Sequence, residues 1–232
     1  MFSGFIFDVE GTLVDSVPQN LRSLQDALER HGYRVPYQTL HLYSGLDGDQ
    51  ALQVMLPEIT ERERAEIIEE NGAIYERDYL ASVKPFDGVR DVFQSLAEHG
   101  GRVALATDCK GRAFKRYMSI INADDFIAAT ACGDDVEHGK PDPRLVGMAL
   151  RKLASPASRS VMVGDTPYDA EAGLEAGTKA AGVLTGGFSF DALGAGCFAV
   201  ANDLAGLLEN LVSGEKILSP RQLDFLNIAH AS

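Results

Sequence analysis

The feature that most constrains this chain is an alternation of short apolar runs with amphipathic stretches. The runs stand at Gly4–Asp8, Arg102–Thr107, Phe126–Ala131, Ser160–Gly164, Lys179–Leu184 and Phe198–Val200. Helical patterns separate them near Gly88–His99, Gly111–Ile121, Pro143–Leu153, Pro167–Ala176 and Leu204–Leu211. Parallel strands need a crossover between them, and a helix is the usual one, so this alternation predicts βαβ units. Helix-start signals agree, with Asp87 before Gly88 and Asp142 before Pro143. The expected fold class is α/β, with a doubly wound parallel sheet.

One interval breaks the pattern. Between Ser16 and Lys84 only helical periodicity is visible: Leu21, Leu24 and Leu28 form one apolar stripe, and Ile68, Tyr75 and Tyr79 another. Glu61–Glu70 is dense in charge and reads as the solvated face of a long helix. Pro18 and the Lys84-Pro85 step mark plausible edges. The predicted organisation is a core formed by residues 1–15 and 85–212, a helical insertion over 16–84, and a C-terminal tail over 213–232. A length of 232 residues suits one α/β domain carrying an insertion.

Charge narrows the partners. With 21 Lys plus Arg against 34 Asp plus Glu, the net charge is −13, which leaves no basic footprint for nucleic acid or an anionic membrane. The expected partner is a small molecule. Cys109, Cys132 and Cys197 are odd in number and widely spaced, predicting free thiols and a cytoplasmic setting. No apolar stretch is long enough to span a bilayer. Met1–Phe7 lacks a basic flank and runs straight into Asp8, so it reads as a buried strand and not as a signal peptide.

In an open parallel sheet, ligands gather beyond the carboxyl ends of the strands. Acidic residues collect there. The first strand runs into Asp8-Val9-Glu10, the second into Thr107-Asp108, and the fourth into Asp165 with Asp169 four residues on; Lys140 precedes the fourth. If strand geometry persists, Asp8 and Glu10 share a face. Several carboxylates at one edge repel one another unless a cation is bound, and hard oxygen donors suit Mg²⁺. Mg²⁺ together with Lys140 would make an acidic edge receptive to a phosphate dianion. Helix capping and loop decoration account for any one of these acids, but not for their coincidence at strand ends.

The same residues resemble a known family. Asp8-Val9-Glu10-Gly11-Thr12-Leu13-Val14-Asp15-Ser16 is similar to the first motif of the haloacid dehalogenase superfamily, DxDGTLxDS. Ala106-Thr107-Asp108 resembles the second motif. Gly133-Asp134-Asp135 leading to Gly139-Lys140-Pro141-Asp142-Pro143 resembles the third, and Val163-Gly164-Asp165 through Asp169 the fourth. The insertion resembles the cap of the phosphoglycolate phosphatase and β-phosphoglucomutase branch, placed on a Rossmann-like core.

That resemblance implies a Mg²⁺-dependent phosphatase acting on a small phosphorylated metabolite, as a monomer or homodimer. Asp8 would be the nucleophile, forming an aspartyl-phosphate. Glu10 would be the general acid/base and would offer its backbone carbonyl to the metal. Thr107, the Asp108 amide and Lys140 would hold the phosphoryl oxygens, while Asp8, Asp165 and Asp169 would complete the metal set. Two positions depart from the family pattern: Glu10 stands where Asp is usual, and Asp108 where Asn is common. The rivals are a phosphomutase on a sugar phosphate and a binding or regulatory protein that lost turnover at Glu10. Phosphonate hydrolysis would want a cap lysine, and Ser16–Ser82 contains none.

Three weaker signals are set aside. Gly194-Ala195-Gly196-Cys197-Phe198-Ala199 fits a loose dinucleotide pattern but precedes a strand, whereas the true fingerprint follows one. The histidines never pair at metal-ligand spacing. Cys109 adjoins the second motif and reads as a bland neighbour. The loop Tyr43-Ser44-Gly45-Leu46-Asp47 is the candidate specificity loop, offering an aromatic ring and a further acid.

Overall fold

Six strands pair in parallel in a computed structural model of the chain that describes residues 2–214. They are β1 (Gly4–Phe7), β4 (Arg102–Thr107), β5 (Ile127–Cys132), β6 (Ser160–Gly164), β7 (Lys179–Val183) and β8 (Ala199–Ala201). Their order across the sheet is β5-β4-β1-β6-β7-β8, so the first strand is central and the winding reverses beside it. That is the doubly wound arrangement, with its crevice beyond the end of β1.

Strand alternation sets the two faces. Phe5, Phe7, Val103, Leu105, Val161 and Val163 meet α5 (Val89–Glu98), α6 (Gly111–Ile121) and α10 (Leu204–Ser213) on one side. Ile6, Ala104, Ala106 and Met162 meet α7 (Arg144–Leu153) and α8 (Pro167–Glu175) on the other. The remaining helix of this part, α9 (Phe190–Gly194), lies before β8, so Gly194 ends a helix and opens none. All three cysteines are free. No helix among the described residues is long and apolar enough to cross a membrane. The expected tail from 213 lies, beyond residue 214, outside the described residues.

Between β1 and β4 the chain forms α1 (Val17–Arg30), α2 (Tyr37–Leu42), α3 (Gly48–Met55) and α4 (Glu61–Ile74). Pro18 lies in the first turn of α1, where a missing N–H costs nothing. Asp47 accepts from the Asp49 and Gln50 amides to cap α3, and Thr60 accepts from the Glu63 amide to cap α4. Leu21, Leu28, Leu40, Leu52, Ile67 and Ile74 form a separate apolar cluster.

Two features correct the sequence pattern. The interval is bracketed by two-residue strands, β2 (Val14–Asp15) and β3 (Lys84–Pro85), which pair antiparallel where the chain leaves and re-enters. They are too short to show as an alternation. In α4 the buried positions are Ile67 and Ile74, with Ile68 only half-buried. After Ile74 the chain continues as a π-helical turn at Tyr75–Tyr79; Tyr75 is buried, as its place in the apolar stripe predicts, while Ile68 and Tyr79 pack half-buried against the apolar cluster.

Candidate active site

Asp8 stands one residue beyond β1, and its amide donates to the Val163 carbonyl at 2.9 Å, extending the sheet ladder by one step. Its buried carboxylate therefore emerges at the centre of the sheet edge. Lys140 reaches it from the loop before α7. The Lys140 ammonium, 3% exposed, donates to Asp8 at 2.5 Å and to Asp169 at 2.7 Å. It also lies 3.5 Å from Asp108.

Asp165 follows β6, and Thr12 Oγ1 donates to its Oδ1 at 2.8 Å. Asp169 sits in the first turn of α8 in a reciprocal cap: it accepts from the Thr166 amide and hydroxyl, and its own amide donates to Thr166 Oγ1. That capping fixes its rotamer and leaves Oδ1 for Lys140. Carboxylate oxygens of Asp8, Asp165 and Asp169 all lie within 4.8 Å of one another, and all three residues are buried.

Two glycines make room for this cluster. A Cβ at Gly186 would lie 1.7 Å from Asp165 Oδ2, and one at Gly11 would lie 2.4 Å from it. Gly11 also adopts φ +80°, turning the chain sharply after Glu10.

The electrostatics follow from burial. Desolvation pushes the Asp8 carboxyl well up, against the pull of Lys140, while Asp169 and Asp165 push the same way as burial. Burial, then repulsion from Asp169, raises Asp165 to about 8. Burial likewise raises Asp108, which Lys140 partly offsets. Burial disfavours the Lys140 charge, yet Asp169, Asp8 and Asp108 outweigh it and hold the ammonium protonated. With all three buried carboxylates ionised, the one ammonium would leave an excess of negative charge, which is why burial and mutual repulsion raise Asp8 and Asp165. Buried, hard oxygen donors with that excess fit Mg²⁺.

Glu10 goes elsewhere. β1 ends at Phe7, so strict strand geometry does not persist to residue 10. Asp8 and Glu10 border one cavity, but the Glu10 side chain is not in the carboxylate cluster. Its Oε1 instead accepts from Tyr117 of α6 at 3.0 Å, and the Tyr117 hydroxyl touches that of Tyr75. Burial raises the Glu10 carboxyl, opposed by the Tyr117 hydrogen bond, with Asp108 adding to the rise.

Thr107 is fully buried and stands behind the cavity wall, its Oγ1 accepting from the Cys109 amide at 3.2 Å. That bond shapes the turn presenting Asp108, which does line the cavity. Cys109 is itself buried, and burial pushes its thiol up, so it stays protonated. The site contacts of Thr12, Tyr117 and Tyr75 escaped the sequence reading, in which Thr12 stood only within a motif and Tyr75 only on an apolar stripe. A tyrosine on an amphipathic helix carries the same signal as core.

The inserted helices close over this edge, enclosing a cavity of about 230 Å³. The Asp47 amide donates to the Lys140 carbonyl at 3.3 Å, and His41 Nε2 lies 3.0 Å from the Gly186 carbonyl. Tyr43, Ser44, Gly45 and Leu46 of the candidate specificity loop border the cavity. The Asp47 carboxylate does not join them; it is spent on capping α3.

Comparison with known proteins fits this geometry. The profile of the haloacid dehalogenase-like hydrolase family matches residues 5–183. A pyrophosphatase PpaX of Anoxybacillus flavithermus is 30% identical over 180 residues, covering 77% of this chain and 81% of that protein. A phosphoglycolate phosphatase of Aquifex aeolicus is 27% identical over 182 residues, covering 78% and 84%. Among solved structures, a hydrolase from Pseudomonas syringae superposes with a TM-score of 0.85 at 27% identity, covering 92% of this chain and all of that one.

Proposed function

The chain belongs to the haloacid dehalogenase-like hydrolase family, and from that premise we propose that it hydrolyses the phosphate monoester of a small metabolite through an aspartyl-phosphate on Asp8. The observation that carries this reading is the contact of Lys140 with Asp8 and Asp169 at the end of the central strand, beside Asp165. Phosphoryl transfer needs positioning and charge compensation more than elaborate chemistry, and the site offers both.

In the first step an Asp8 oxygen attacks phosphorus, the bond to the leaving oxygen breaks, and Glu10 gives that oxygen a proton. In the second, Glu10 takes a proton from water, the water oxygen attacks phosphorus, and the bond to Asp8 breaks to release inorganic phosphate. A raised Glu10 carboxyl suits a group that must be an acid first and a base second. Lys140 orients Asp8 and supplies positive charge to the phosphoryl oxygens, with the Asp108 backbone amide beside it; the Lys140 amide itself donates to the Asp108 carboxylate at 3.1 Å. Mg²⁺, held by Asp8, Asp165 and Asp169, would supply further charge neutralisation at phosphorus. The helices over 16–84 serve as a cap that excludes water and selects the leaving group.

The test is direct. The protein with Mg²⁺ should release phosphate from an aryl phosphate, and Asp8→Asn should abolish turnover while leaving the fold intact. Equal rates for the two proteins would overturn the assignment of Asp8.

A further inference from the structure

Away from its acidic floor the cavity changes character. Its cap wall is formed by Leu21 and Leu24 of α1, Leu46 of the loop before α3, Leu52 and Met55 of α3, and Ile68 of α4. Among the described residues no arginine borders the cavity, and the one lysine that does is Lys140, already shared among Asp8, Asp169 and Asp108. The nearby Arg64 pairs with Asp49, and Arg30 pairs with Glu70. A second anionic group on the leaving portion would be taken out of water against leucine and methionine with no counter-charge, which is expensive.

A few polar side chains also border the cavity, chiefly Ser16, Asn20, Tyr43, Ser44 and Asn71, and two of them are partly engaged within the inserted helices. Asn71 Oδ1 already accepts from Ser23 at 2.6 Å, and the Ser44 hydroxyl donates to the His41 carbonyl at 2.9 Å. The volume, about 230 Å³, falls below the roughly 300 Å³ at which typical small-molecule sites begin, so the occupant is compact.

Resting on the phosphatase reading above, we propose that the substrate class is the phosphate monoester of a compact, mainly apolar alcohol. Its phosphate sits on the acidic floor with the metal, and its hydrocarbon lies against Leu24, Met55 and Ile68. Phosphoglycolate and pyrophosphate, whose leaving portions carry further anionic charge, are the wrong complement for this wall.

The experiment is a kcat/KM series with Mg²⁺ on ethyl, n-butyl and benzyl phosphate against 2-phosphoglycolate and inorganic pyrophosphate. Ethyl, butyl and benzyl esters share an alkoxide leaving group with phosphoglycolate, so their differences report the pocket and not bond lability. A buried methylene is worth about 10-fold or more in such a pocket. Butyl phosphate, two methylenes longer, should therefore exceed ethyl phosphate by about 100-fold, and it should exceed phosphoglycolate too. Ile68→Arg, or Leu46→Arg should the first variant fold poorly, should reverse the order of butyl phosphate and phosphoglycolate.

Phosphoglycolate or pyrophosphate turned over faster than every alkyl ester would overturn the substrate class and leave the phosphatase reading standing. Turnover of none of them would instead overturn the phosphatase reading. Calorimetry with n-butylphosphonate and phosphonoacetate then decides the class separately. Tighter binding of n-butylphosphonate supports the apolar wall's assignment; tighter phosphonoacetate, or no binding of either, defeats it.

Discussion

The Tyr117 hydroxyl donates to Glu10 Oε1 at 3.0 Å, tying the proposed general acid to a helix of the core. Because Tyr117 spends its one proton on Glu10, the Tyr75 hydroxyl must be the donor in the Tyr75–Tyr117 contact. Tyr75 comes from the inserted segment and Tyr117 from α6, so the chain of hydroxyls runs from cap to acid. It also suggests how a side chain one methylene longer than the family's usual Asp is kept in place.

Tyr117→Phe should loosen that arrangement. Misplacing a catalytic group by about 1 Å can cost roughly 10²-fold, so kcat on an alkyl phosphate should fall by at least about 10-fold with little change in KM. The hydrogen bond favours the charged carboxylate, so losing it raises the Glu10 carboxyl further. Leaving-group protonation needs the acid form, present below the Glu10 pKa and lost as pH rises through it. The alkaline limb of kcat/KM should therefore move to higher pH. An unchanged rate and profile would remove Tyr117 from the mechanism.

Glu10 itself separates an enzyme from an inert relative. Glu10→Gln should lose general acid/base assistance, typically about 10² to 10⁴-fold, while Mg²⁺ affinity stays nearly intact because the side chain lies outside the carboxylate cluster. Glu10→Asp should be slower or similar, since Tyr117 is set for the longer arm. A parent that is almost inert, together with an active Glu10→Asp protein, would support the regulatory reading instead.

Metal binding should release protons. In the metal-free protein Asp165 is raised to about 8, so at pH 7 it is mostly protonated, and a carboxylate that ligates Mg²⁺ must lose that proton. Mg²⁺ affinity should rise between pH 6 and 8 and level off above. Calorimetry at pH 7 in buffers of different ionisation enthalpy should detect the release, and Asp165→Asn should abolish both the release and the thermal stabilisation by Mg²⁺. Buffer-independent heats would show that Asp165 is already ionised.

The sheet was legible because each strand is an unbroken apolar run between helical patterns, and the gathering of Asp8, Asp165 and Asp169 with Lys140 was legible because acids collected at one sheet edge repel one another unless positive charge stands among them. What stayed hidden is what depends on contacts distant in sequence. Thr12 meets Asp165 across 153 positions and Tyr117 meets Glu10 across 107, and neither residue carries a local signal of that role. Apolar periodicity placed Tyr75 on an inward stripe but could not register that its hydroxyl meets that of Tyr117, 42 positions on. The direction of Asp47 was misread for a different reason: a carboxylate just before a helix serves as its cap before it serves a ligand.

Gly186 offers the sharpest test of how tightly the cluster is packed. It lies just past β7, and its φ is outside the left-handed region, so alanine is compatible with the backbone there. The added methyl would nevertheless sit 1.7 Å from Asp165 Oδ2, too close for any real contact. Either the loop retreats, breaking the approach of His41 to the Gly186 carbonyl, or Asp165 swings away from Asp8 and Asp169. Overpacking of this kind costs about 1–3 kcal/mol, so the melting temperature of Gly186→Ala should fall. If Asp165 moves, Mg²⁺ affinity should drop by about 10 to 100-fold, the range seen when a metal ligand loses its support. Gly72→Ala is the contrasting variant. Its Cβ would meet nothing within 4 Å, and alanine in a helix is favoured over glycine by about 1 kcal/mol, so that protein should be slightly more stable with unaltered Mg²⁺ binding. Calorimetric titration and thermal melts of the two variants distinguish the outcomes. Unchanged Mg²⁺ affinity with a lowered melting temperature in Gly186→Ala would show that the loop gives way and Asp165 keeps its place, and no change in either would show that the site is not tightly packed.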